Sequence, residues 1–168
     1  SDIALQNVLR RIYVDEFDLN DAKSQLTTRG MFKPAQVQKL YEDFGGYGPH
    51  FAHVHELMQK GISFQDAVLE TQQMIYRDFM KTIINQNITE NNETFKTNVD
   101  TDKIEFLNRM VKDRHYSLSQ INDLSPNVRY FIETLIKNGI LSIQSNNQLR
   151  FTNFAEFTSA QYFLHQKN

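Results

Sequence analysis

The sequence predicts a mainly α protein in two parts: a helical bundle, then a winged-helix domain with a small β-hairpin. Three observations carry this. Residues 1–85 are a series of amphipathic segments with helix start and stop signals between them. Residues 86–100 lose that periodicity. Residues 101–168 then run through three helical segments, two short strands and a closing helix, the element order of a winged helix. The predicted organisation is therefore a bundle over 1–85, a linker over 86–100 and a winged helix over 101–168.

The elements follow in order. "SDIALQNVLRRI" puts Leu5, Val8, Leu9 and Ile12 on one helical face. "IYVDEFDL" alternates and reads as a short strand or extended link. "NDAKSQLTTRG" is a short helix with Asn20 as cap and Gly30 at its end. "KPAQVQKLYEDFGG" places Pro34 in a first turn, Leu40, Tyr41 and Phe44 on the apolar side, and Gly45 at the stop. "PHFAHVHELMQKG" starts a helix at Pro49, buries Phe51, Val54, Leu57 and Met58, and ends at Gly61. The longest helix follows a capping pair, Ser63 and Asp66, with Phe64, Val68, Ile75, Phe79 and Ile83 as its buried stripe. Beyond the linker, Thr101 caps "TDKIEFLNRMVKD" and "SLSQIND" is a short helix. Ser125 caps "SPNVRYFIETLIKNG", which ends at Gly139. "ILSIQ" and "QLRFT" are strands joined by "SNN", and "NFAEFTSAQYFLHQ" closes the chain with Phe154, Phe157, Tyr162 and Phe163.

Composition narrows the function classes. The chain has 168 residues, 40% of them hydrophobic, with 13 Phe and 7 Tyr, enough to form a core. Net charge is −2, so it is not a nucleic-acid binder by overall charge. The absence of Cys excludes disulfides, thiolate metal sites and cysteine catalysis. No signal peptide and no membrane-length apolar run occurs, which predicts an intracellular protein with no membrane role.

Motifs for chemistry are missing or incomplete. "HELMQ", His55 to Gln59, stops one ligand short of H-E-x-x-H, because Gln59 stands at the second histidine position. His50 and His53 share a helix surface, while His55 points away from both. No serine sits in a G-x-S-x-G elbow, and no G-x-x-x-x-G-K-[ST] loop is present. The sequence thus predicts no catalytic residue and no metal site. In the winged helix, Arg129 and Lys137 are the cations of the candidate recognition helix, set against Glu133, and Arg150 is the cation of the wing. That is thin for phosphate neutralisation, so these three read as contacts to a protein partner before nucleic acid.

In chain order, the "SDIALQNVLRR" helix, "IYVDEFDLNDAKSQL", "QVQKLYEDFGGYGPHFAHVHELMQKGISFQDAV" and the winged helix resemble the C-terminal half of STAND/AAA-type P-loop ATPases, particularly the archaeal-type family. Phe17-Asp18-Leu19-Asn20-Asp21-Ala22 matches that family's return strand and the start of its helical lid, and Leu40 to Gly46 matches the lid turn. The resemblance implies a lid-like bundle in which Gly45, Gly46, Pro49 and His50 face nucleotide. Pro49 would pack near adenine and His50 would stand where relatives place a sensor cation. It also departs from the family: the usual turn is Gly-Gly-x-Pro, and Gly48 adds a residue here. The P-loop core would lie before Ser1, so the chain reads as a cut-out of a longer protein. It would hold no cofactor by itself, with ATP or ADP and Mg bound in the full-length protein. Its partners would be the missing core domain and a protein at the wing, and apolar surface left by the core could drive self-association. The alternative is a stand-alone winged-helix adaptor that binds protein or nucleic acid and has no nucleotide role.

Overall fold

Helix α1, Leu19–Thr28, begins where Asp18 leaves extended backbone and its carboxylate accepts the Asp21 N–H at 2.8 Å. The computed structural model describes residues 18–85 and 101–167. The predicted helix over 1–12, the extended link up to Phe17 and the 86–100 linker lie outside the described residues; Leu19, read as the end of that link, opens α1. The cap of α1 is Asp18 and not Asn20, because a carboxylate two residues upstream reaches the first-turn N–H groups better than an amide already inside the helix.

Within the described residues the chain divides into two compact units, one running up to Met74 with Asn153–Ala155 added, the other from Ile75 to Thr152 and from Glu156 onward. In the first, α1 is followed by α2 (Pro34–Phe44), α3 (Gly48–Gln59) and the opening turns of α4 (Phe64–Asn85). Its buried side chains include Ala22, Leu26, Phe32, Val37, Leu40, Phe44, Phe51 and Val54. Each helix stops as its sequence dictates: Gly30, Gly45 and Gly61 all carry positive φ. Helix α3 starts at Gly48, one residue before Pro49, and Leu57 and Met58 are only half-buried. Phe64 is half-buried too, and Ala67 and Thr71 join Val68 on the inner face of α4. Ser63 accepts the Asp66 N–H at 3.2 Å, which is one half of the predicted capping pair.

The second unit is a winged helix. It contains α5 (Thr101–Asp113), β1 (Tyr116–Ser117), a 3-10 helix (Leu118–Asp123), α6 (Pro126–Lys137), β2 (Leu141–Ile143), β3 (Gln148–Phe151) and α7 (Phe154–Lys167). The strands form an antiparallel sheet in the order β1-β3-β2, with Tyr116 opposite Leu149 and Ile143 also opposite Leu149 from the other side. Strand β1 was not expected. Two residues carry no alternation, and this strand exists only because β3 pairs with it. The predicted "SLSQIND" helix is a 3-10 helix, and Thr101 lies inside α5 and does not cap it. The Ser125 cap is present, accepting the Val128 N–H at 3.3 Å. The core joins Phe106, Leu107 and Met110 of α5, Phe131, Ile132 and Leu135 of α6, Leu141 and Leu149 of the sheet, and Phe163 of α7. Phe79 and Ile83, in the second half of α4, belong to the same cluster.

Candidate functional site

The α2–α3 turn brings Gly45, Gly46, Pro49 and His50 into one short segment. Helix α2 ends when the Gly45 N–H donates to Tyr41 O at 2.8 Å, and Gly45 then takes φ 64°, ψ −153°. That backbone region is open almost only to glycine, since a Cβ would clash with the flanking carbonyls. Gly46 and Gly48 are buried, Pro49 is half-buried, and the His50 N–H donates to Tyr47 O at 3.3 Å. Tyr47 caps α3 by backbone geometry alone, with no side-chain hydrogen bond to the first-turn N–H groups. The expected effect of Gly45→Ala is a loss of about 2–3 kcal/mol from the strained backbone, measurable in a urea melt.

His50 is 8% exposed, with its ring 5.5 Å from Phe44 and 4.8 Å from Tyr47, and its Nδ1 is buried with no hydrogen-bond partner. Burial, assisted by His53, pushes its pKa down to about 4. His50 is therefore neutral at pH 7, and any role toward an anion runs through an imidazole N–H and not a net charge. The sign for stability follows. An unfolded histidine takes up a proton near 6.5 while the folded one resists until about 4. Stability of the first unit is full above 6.5 and falls as pH drops through that window. His50→Phe should flatten the acid limb of the unfolding midpoint between those two values.

The other histidines do not converge. His55 packs edge-on against Phe32 at 5.7 Å, and His53 is half-buried. Among the described residues no group of three or more His, Asp or Glu side chains is placed to hold a metal ion, and no helix is long and apolar enough to cross a membrane.

In the winged helix, Arg129 is half-buried on α6, Lys137 is exposed in its last turn, and Arg150 is exposed on β3 opposite Ser142. Two further residues stand out. Tyr130 is 64% exposed on the outer side of α6, a position that the helical periodicity of Val128, Phe131, Ile132 and Leu135 could have revealed. Glu156 is half-buried at the start of α7, beside a cavity of about 330 Å³ lined by Asp78, Phe79, Lys81, Thr82, Asn138, Ile140 and Glu156 itself. Desolvation, then the nearby Asp78 carboxylate, raises its pKa to about 7. No sequence signal could have found it, because Asp78 and Glu156 are brought together only by the fold.

No family model matches the chain, and no curated protein sequence matches it. Among solved structures, the Walker-type ATPase PABY2304 of Pyrococcus abyssi is similar in fold, with a TM-score of 0.51 at 14% identity. The match covers 87% of this chain and 42% of that one. The chain thus shares the architecture of under half of a Walker-type ATPase, and carries no P-loop motif of its own.

Proposed function

We propose that the chain is a regulatory and interaction module of a P-loop ATPase. Its first unit is a lid over nucleotide bound by a separate P-loop core, and its winged helix contacts a partner. The observation that supports this most is the likeness to a Walker-type ATPase over 87% of the chain. The α2–α3 turn is suited to such a role. Gly45 and Gly46 let backbone come close to a ligand, and the N-terminus of α3, where Tyr47 makes no side-chain cap, presents the positive end of a helix dipole. Pro49 would lie against the base and His50 would offer a neutral N–H. ATP or ADP with Mg would be held by the core domain. Regulation would require two lid positions of different nucleotide affinity, since a ligand shifts only an equilibrium in which it prefers one state.

The test is to read about 200 codons upstream of Ser1, the span of one core domain. A strand followed by G-x-x-x-x-G-K-[ST], and later an acidic strand end, supports the proposal. An initiator Met with no such core would sink it and leave the adaptor reading.

A further inference from the structure

We propose that the outward face of α6 is a self-association surface that takes a second copy of this chain, the two α6 helices packing antiparallel across a two-fold axis. This rests on the reading that the winged helix contacts a partner, and not on the lid reading.

Helix α6 buries Val128, Phe131, Ile132 and Leu135. Its opposite stripe is Tyr130, Glu133, Thr134 and Lys137, at the i, i+3, i+4, i+7 spacing of one helix face. Tyr130 is 64% exposed, and Glu133 and Lys137 are exposed as well. Glu133 and Lys137 stand four apart, yet the ion pairs among the described residues do not include them. Both charges are left to solvent or to a partner. Strand β2 follows α6 and packs against it. Its Ile143 has the same strand parity as buried Leu141 and is paired with buried Leu149, so it belongs to the inner face of the sheet, but it is 52% exposed. An apolar side chain on the packing face is thus left uncovered where the wing extends past its own core.

The charge pattern identifies the occupant. The stripe runs from an aromatic through an acid to a base, so reversed on itself it sets the base against the aromatic and the acid, as an isologous interface can. With the axis between Glu133 and Thr134, Tyr130 of one copy lies level with Lys137 of the other, each about 5 Å along the helix from the axis. That ammonium can then sit over the Tyr130 ring and reach the Glu133 carboxylate, and the contact occurs twice. A nucleic acid fits this face poorly, because Glu133 lies in the middle of it and repels phosphate.

Sedimentation velocity over a wide concentration range tests this. The expected result is a monomer–dimer equilibrium, weakened at least about tenfold by Tyr130→Ala. Glu133→Lys should weaken it as well, and the double exchange Glu133→Lys with Lys137→Glu should restore part of it, the ion pair returning without the cation over the ring. All are exposed positions, so circular-dichroism melts of the monomers should coincide with wild type. A monomer at every concentration overturns the inference, and so does a dimer indifferent to Tyr130 and Glu133. Titration of the monomer with duplex DNA then separates the two failures. Binding would leave a partner-contacting winged helix standing with nucleic acid as its occupant, and no binding would narrow that reading to a protein other than this chain.

Discussion

Phe131→Ala should cost about 3–5 kcal/mol, the cavity-forming range for a buried phenyl ring. Phe131 is fully buried on α6, within the cluster that joins α5, the sheet and α7, and the Lys103 ammonium lies 5.7 Å from its ring centroid. Truncation removes the transfer free energy of the ring and leaves a void that neighbours on three helices fill only in part. It also strips the aromatic face from a lysine that is itself buried. A domain stabilised by roughly 5–15 kcal/mol loses a large share of that margin. Urea unfolding followed by circular dichroism should show the transition of the second unit moving to much lower denaturant. Phe131→Leu, which keeps most of the volume, should recover more than half of the loss. A loss under about 1 kcal/mol for Phe131→Ala would show that this core is not packed around that ring.

Glu156→Gln should stabilise the second unit at pH 8 by at most about 3 kcal/mol and do little below pH 4.5. The folded carboxyl titrates at about 7 against an ordinary 4.5, so between those values the folded state holds a proton that the unfolded state has released. Stability is therefore full below 4.5, falls as pH rises, and levels off above 7. Glutamine keeps the shape and cannot ionise, so the fall disappears. The charged groups of α4 lining the same cavity are Asp78 and Lys81. Asp78→Asn should bring the Glu156 titration part of the way down, leaving the shift that burial causes. Midpoints measured across pH 4 to 9 would decide it (roughly the span of both limits); a flat difference between wild type and Glu156→Gln would refute the buried-carboxylate account.

Much of the architecture was legible in the sequence because it is written locally. Pro34, Gly45, Ser125 and Gly139 act through their own backbone and their nearest turn, and each marks the boundary it was expected to mark. The wing was readable because "SNN" lies between two alternating runs. What could not be read depends on partners distant in sequence. Strand β1 needs Leu149 and Gln148 beside Tyr116 and Ser117. The half-burial of Leu57 and Met58 depends on which helices cover α3, and its own periodicity does not say. At the candidate site the stop at Gly45 was legible, while Gly48, expected in the turn, is the first residue of α3. The state of His50 was not legible, since its neutrality comes from burial, with the Phe44 and Tyr47 rings packed against it, and then from His53.

His50 and Glu156 belong to different compact units and titrate out of step, one held neutral by losing its proton early, the other by keeping it late. The first unit is weakened by acid and the second by base. Acid should therefore raise local opening in the first unit and base in the second, each read by amide exchange or protease nicking. A melting temperature taken at a single pH would report only whichever unit yields first there.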